Sequence, residues 1–343
     1  MWMIFANICN LWYNIPKYKS MRTPIYRKAM KDSLSLAWNN KHLWILGLFA
    51  AALGQMGLVD ILSGVGYAGE GRIMLLNWLS WPEALWNFFA NLQIGFGQWV
   101  WLVLVILIFV FLFVAFVFAS VTSQGGIIAA SIRHAYGKYT DATAAWHYSQ
   151  NHFWRLFSIN LVKKVLILVL TTVIGICSYM VIFNPHGFDL AVFLVFFVLA
   201  TLIGSVISFL AIYASAYVVA ENHGFLRSIH EAWKLFLDHW LVSVEMGVLV
   251  LLSNIIFLIV LCVGIMAVII PTFLLWFVTI VLAGNIYWFF GVVFGSVCAM
   301  AVAFAMIAMF QIFTTSVWCN LFVKMHNEGV VSKVARLVGI KKV

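Results

Sequence analysis

The chain alternates long apolar tracts with short segments that hold nearly all of its charge. The tracts fall at 43–62, 99–121, 157–183, 190–218 and 241–270, with a last one inside 287–321. Each approaches or exceeds the roughly 20 residues that carry a helix across ~30 Å of hydrocarbon. Lipid offers no partner to backbone N–H and C=O groups, so such spans are helical, and the strict alternation of a barrel strand is absent. The pattern predicts an all-α integral membrane protein with about six transmembrane helices. Within 241–323 the only charge is Glu245, and Pro271 is expected to break the tract because proline removes a helix hydrogen bond. That leaves open whether 271–290 spans, re-enters or lies at the interface.

The polar segments repeat. SLSLAWNNKHLW at 33–44, DATAAWHYSQNHFW at 141–154 and SIHEAWKLFLDHW at 228–240 share an Ala-Trp pair, then a histidine and a second tryptophan. The tryptophans are Trp38 and Trp44, Trp146 and Trp154, Trp233 and Trp240; the histidines are His42, His152 and His239. Each copy stands just before an apolar tract, so the sequence reads as three repeats of an interfacial helix plus a transmembrane hairpin, about 21–126, 127–224 and 225–323. SQGGII at 123–128, AENHGFL at 220–226 and MHNEGVV at 325–331 supply a glycine where each returning span is expected to stop, since glycine takes the left-handed conformation freely. In the third copy Trp233, Phe236, Leu237 and Trp240 follow i, i+3, i+4, i+7, opposite Glu231, Lys234 and Asp238, the layout of a helix lying in the headgroup plane with its rings toward lipid.

The passage YVVAENHGFLRSIHEAWKLFLDHW at 217–240, with its step from Glu221 to Gly224 and its closing Trp240, resembles a segment of multi-pass bacterial membrane proteins. These include the membrane domain of some glycerophosphodiester phosphodiesterases and its uncharacterised relatives. The resemblance implies a helical membrane bundle without hydrolase activity, because the family's chemistry lies in a separate soluble barrel that has no counterpart among these tracts.

Composition agrees: 65% of residues are hydrophobic, 9% are charged and mean hydropathy is +1.05, too apolar for a water-soluble core of this length. The net charge of +9 is explained by topology rather than by nucleic acid. Of the 20 Lys and Arg residues only Arg72 falls in a connection assigned to the outside, which places both termini in the cytoplasm of a cell-membrane protein. The basic segments then face anionic lipid headgroups. The external connection 63–98, with Trp78, Trp81 and Trp86, reads as an outer-surface amphipathic helix, or as a binding lid. Residues 1–20 are either an interfacial arm or the product of a start assigned too early, with Met21 the alternative. Residues 21–323 form one helical domain, and 324–343 form a basic amphipathic tail.

Candidate chemistry is sparse. Five scattered cysteines lack ligand spacing and read as packing residues. No HExxH, phosphate loop, GxSxG or paired carboxylate is found, so no enzyme, metal or cofactor is expected. The repeated histidines sit at the headgroup boundary as anchors, unless the three units converge on one centre. Lys163, Lys164 and Glu245 lie one to three turns inside their tracts. Either the lysines reach back to the interface, or one of them pairs with Glu245 in a polar intramembrane site. Gly291 and Gly295 have the spacing of close helix packing. The leading expectation is a non-enzymatic protein of membrane organisation, lipid interaction or partner binding, with a membrane protein as partner. The alternative is a small-solute or lipid transporter built on Lys163, Lys164 and Glu245.

Overall fold

A computed structural model describes residues 25–54, 87, 96–138, 141–183, 187–282 and 285–328. Every regular element among them is a helix. In chain order they are α1 (Ile25–Asn39), a 3-10 turn (Lys41–Leu43), α2 (Trp44–Ala51), α3 (Phe96–Ala135), α4 (Ala142–Gln150), α5 (Phe153–Phe183), α6 (Gly187–Glu221), α7 (Phe225–Asp238), α8 (Trp240–Leu282) and α9 (Asn285–Glu328). Five segments, Trp99–Ala135, Phe153–Phe183, Gly187–Glu221, Trp240–Leu274 and Val293–Asn327, are long and apolar enough to cross a membrane. The chain is therefore an all-α, multi-pass membrane protein. Of the sixth predicted span, the apolar helix Lys41–Ala51 is described and residues 55–62 are not. The arm at 1–20, the tail beyond 328 and the external connection 63–98, apart from residues 87 and 96–98, also lie outside the described residues.

Three of the long helices, α3, α6 and α9, are divided along their length. In α3, residues 103–116 are exposed on every face, whereas 120–132 are buried on every face. The same change occurs in α6, where 212–219 are wholly buried, and in α9, where 311–323 are. Helices α3, α6 and α9 pack on one another at this end, and α1, α2, α4 and α7 close around them to form a cap. Helices α5 and α8 instead keep a buried stripe beside exposed neighbours, Lys163, Ile167, Thr171, Ile174 and Ser178 in α5 and Val242, Met246, Val250 and Ser253 in α8. In the other three the exposed stretches run from the cap boundary outward, from Ser120 back to Trp99, Ser208 back to Phe188 and Phe313 back to Val293. At 1.5 Å per residue each is about 30–35 Å long, the thickness of a hydrocarbon core. Exposed leucine and phenylalanine gain nothing by hiding from lipid tails, so long exposed apolar stretches suit helices that meet lipid.

The cap core includes Trp318, Tyr213, Leu43, Leu156 and Met246, all fully buried. Each such side chain contributes roughly 1.5–3 kcal/mol where the alternative is water. Beyond the cap, α5 and α6 touch through a small cluster of Ile174, Ala200, Leu170, Phe193 and Phe197.

Three local expectations are corrected. Pro271 does not break its tract, for α8 continues to Leu282. Proline forfeits one backbone hydrogen bond, the one the Ala267 carbonyl would have accepted, and the helix continues through it. Gly125 and Gly126 do not stop α3. They lie inside it, and a Cβ on Gly125 would stand 2.1 Å from Ser149 Oγ and 2.5 Å from Leu156 Cδ1. These glycines serve the close approach of α4 and α5; the left-handed residue that ends α3 is Gly137, φ +72°. At the end of α6 that role falls to Asn222, φ 54°, while Gly224 at φ −70° opens α7. An asparagine tolerates the left-handed region better than most residues and so can end a helix where glycine is expected.

Candidate functional site

The chain turns three times, within a few residues, from a short cap helix into the next, before α2, α5 and α8, and side chains of the repeated motif brace the first two bends. At the first, Asn40 Nδ2 donates to the Leu36 carbonyl at 3.1 Å and Trp44 Nε1 to the Ala37 carbonyl at 2.8 Å, satisfying acceptors that the end of α1 leaves open. At the second, His152 Nδ1 lies 3.0 Å from the Tyr148 carbonyl at the end of α4, and Nε2 lies 3.1 Å from Asn222 Oδ1. Arg155 donates to that same Asn222 Oδ1 at 2.5 Å and to the Asn222 carbonyl at 3.0 Å. The junction between α6 and α7 is thereby tied to the start of α5.

The alanine of every Ala-Trp pair faces inward: Ala37, Ala145 and Ala232 are 0%, 1% and 0% exposed. Most of the tryptophans face out. Trp38, Trp154, Trp233 and Trp240 are exposed, Trp154 to 76%. Trp44 is held by its hydrogen bond, and Trp146 meets Phe118 edge-on at 6.4 Å. The inward face of α7 is Ser228, Ala232, Leu235 and Phe236. Of the expected aromatic stripe, then, Phe236 turns to protein, whereas Trp233, Leu237 and Trp240 remain outside.

Lys163 is buried in α5 and donates to the Gly54 carbonyl at 2.6 Å, just beyond α2. Lys164 Nζ also borders Gly54. Glu245 belongs to α8, where its carboxylate accepts a short hydrogen bond from the Tyr26 hydroxyl of α1. Helix α5 packs mainly on α6 and α3, and α8 mainly on α9 and α7, so the described partners of the two lysines and of Glu245 lie on different helices.

The histidines also have separate neighbours. His42 stands near Asp141, whose carboxyl is held below its usual range chiefly by the Thr143 hydroxyl, opposed by slight burial, and further by the Ala142 amide and the charge of His42. His152 stands at the other end of α4, about 14 Å along the helix. His239 terminates α7 at φ −132°. Among the described residues no group of three His, Cys, Asp or Glu is placed to hold a metal ion.

What sequence reasoning missed is a layer of amides and hydroxyls at the cap boundary. Asn160 Nδ2 donates to Gln124 Oε1 at 2.7 Å and to the Leu156 carbonyl at 2.9 Å. Gln311 Nε2 reaches the Ala50 carbonyl at 3.4 Å, Asn320 Nδ2 donates to Ser33 Oγ at 2.9 Å, and Tyr213 and Ser243 share a hydrogen bond of 2.8 Å. Its signal was the runs SVTSQ at 120–124 and QIFTTS at 311–316, polar residues near the ends of apolar tracts. At the far end of the cap Glu221 pairs with His223 at 3.3 Å and His326 at 3.0 Å, with Tyr217 ringed by His223, Phe322 and His326.

This geometry organises a membrane boundary: a close-packed polar layer, with exposed tryptophan around the cap and apolar shafts below it. No family model matches the chain, and no match to it is found among curated proteins or among solved structures.

Proposed function

We propose that the chain is a non-enzymatic, six-span membrane protein of three repeated units whose cap lies on the cytoplasmic side, and that it acts by binding and organising lipid at that face. The observation carrying this reading is the division of α3, α6 and α9, with about 30 Å of lipid-exposed shaft meeting a cap whose rim bears Trp38, Trp154, Trp233 and Trp240. Tryptophan favours the headgroup zone, where its ring is sheltered and its N–H finds an oxygen. The element order supports the repeat, since a short helix carrying an inward alanine of the Ala-Trp pair precedes α2, α5 and α8 alike. Basic residues at that end suit anionic lipids, and the same rim offers a surface to a membrane-protein partner.

The transport reading draws its support from the buried Lys163. Against it stand the hydrogen bonds of Lys163 to Gly54 and of Glu245 to Tyr26, which occupy both groups within packing contacts. To test the choice, the protein would be extracted in native-membrane discs and its retained lipids compared with the bulk membrane. Proteoliposomes loaded with pyranine would report proton flux in parallel. Anionic lipid enrichment without flux is the expected result. Bulk-like lipid together with a flux abolished by Glu245→Gln would replace this reading with transport.

A further inference from the structure

A cleft of about 350 Å³ opens between α1, α8 and α9. Its walls are Met30 and Leu34 of α1, Ser253, Ile256 and Phe257 of α8, and Phe313 of α9, and its remaining lining residues are Arg27 and Lys31. Phe257 forms the floor with Phe313, ring centroids 5.5 Å apart. Ser253 adds little polarity because its hydroxyl donates to the Leu249 carbonyl at 2.9 Å. Arg27 and Lys31 are both exposed and lie four residues apart, on one face of α1. The nearest acid in the sequence is Asp32, beside Lys31.

The position of the cleft along the helices gives it meaning. It sits where the buried stripe of α8, Met246, Val250 and Ser253, comes to an end, and where α9 passes inward at Phe313. This is the same boundary that α3 and α6 place at one end of their shafts of about 30–35 Å. Two cations at headgroup level above an apolar slot that continues into the shaft have the charge and the polarity gradient of an acylated phosphate.

We infer that this cleft is a specific site for one anionic diacyl phospholipid. Arg27 and Lys31 hold the phosphate, and an acyl chain lies along Ile256, Phe257 and Phe313. Arginine supplies paired donors to phosphate oxygens and lysine supplies a mobile point charge, a combination suited to a headgroup approaching from the side. The volume takes part of one chain, leaving the rest along the exposed face of α8. This inference rests on the lipid-binding reading above and gives it a site.

The test counts lipids bound to the detergent-solubilised full chain by native mass spectrometry, titrating dioleoyl phosphatidylglycerol against dioleoyl phosphatidylcholine. Three variants accompany the wild type: Arg27→Gln with Lys31→Gln, Ile256→Trp to fill the slot without altering charge, and Arg227→Gln with Lys234→Gln as a charge-matched control on α7. The wild type is expected to retain one phosphatidylglycerol at concentrations where phosphatidylcholine is lost. The first variant should weaken that binding roughly tenfold or more. Ile256→Trp should weaken it while leaving the unfolding temperature unchanged, and the control should leave it intact. Equal retention of the two lipids, equal loss in the α7 control or full binding by Ile256→Trp would overturn the site. So would displacement of the lipid by soluble glycerol phosphate at similar concentration, which would assign the cations to a free phosphate. If native-membrane discs show anionic enrichment but the cleft variants do not alter phosphatidylglycerol binding, this site fails alone. If no anionic lipid is enriched or retained by the wild type, the broader reading fails with it.

Discussion

Tyr26, in the first turn of α1, donates its hydroxyl hydrogen bond to the carboxylate of Glu245, 219 residues later in α8. The pair joins the earliest described helix to the only charge in 241–323, and so ties opposite ends of the sequence at the cap. A hydrogen bond to a charged acceptor is worth about 1.5–3 kcal/mol, less where water competes. Tyr26→Phe should therefore destabilise the protein by about 1–2 kcal/mol. Glu245→Gln should cost less, since an amide oxygen still accepts. Chemical unfolding of both single variants and the double would show a coupling of the same order. Strict additivity would mean that the bond contributes nothing.

Glycines at helix crossings should separate by what a methyl group would meet. On Gly47 it would stand 2.4 Å from the Ala308 carbonyl oxygen, a backbone atom that cannot swing aside. On Gly125 it would meet side-chain atoms of Ser149 and Leu156, and on Gly126 its nearest neighbour, Leu46 Cδ1, is at an ordinary 3.4 Å. The expected order is a loss of several kcal/mol for Gly47→Ala, about 1–3 kcal/mol for Gly125→Ala, and a change between neutral and a gain of about 0.5–1 kcal/mol for Gly126→Ala. Thermal unfolding in detergent reads the order directly. A reversal of the first and last would contradict the packing of α2 on α9.

Acid should loosen the start of α4. Asp141 caps that helix by accepting from the Ala142 amide at 2.8 Å and from the Thr143 hydroxyl. Its carboxyl is depressed below the ordinary 3.8, first by the Thr143 hydroxyl and then by the amide and by His42. A depressed carboxyl adds stability that is fully present above its ordinary value and disappears as pH falls through the depressed one. Amide exchange in the first turn of α4 should accelerate in that window in the wild type. In Asp141→Asn this pH-dependent change should vanish.

His152 should act as a strut rather than as a ligand. Replacing it with Ala removes contacts to both the Tyr148 carbonyl and Asn222, the left-handed residue that ends α6. We expect a loss of about 0.5–1.5 kcal/mol, the net worth of an ordinary hydrogen bond, since Asn222 is exposed and still bonded by Arg155, with faster proteolysis at the α6–α7 junction. Asn222→Gly should keep the turn and lose only the side-chain contacts. Divalent zinc should leave the stability of the wild type unchanged.

The long helices were legible because a run of some 20 apolar residues can do little else in a bilayer. Where their buried portions would lie was not. Residues 120–132 and 311–323 extend or flank tracts whose hydropathy does not distinguish lipid from protein as neighbour, and only the polar runs SVTSQ and QIFTTS marked the change. Pro271 does not break α8 because unwinding in lipid would free further N–H and C=O groups with no water to take them, so one missing bond is the smaller cost. The Ala-Trp motif was visible in the sequence, but its meaning was split between two residues: the alanine packs and the tryptophan faces out. Asn222 and Tyr26 carried no pattern at all, since a left-handed turn and a contact across 219 residues are properties of tertiary structure.

The change from exposed shaft to buried cap makes the molecule mechanically uneven. Within the cap the helices are tightly interlocked, fixed at crossings such as Gly47 on Ala308, where a few tenths of an ångström cannot be absorbed. Away from the cap the long helices expose most of their surface, and apolar rods so exposed answer in tilt to the thickness of the bilayer around them.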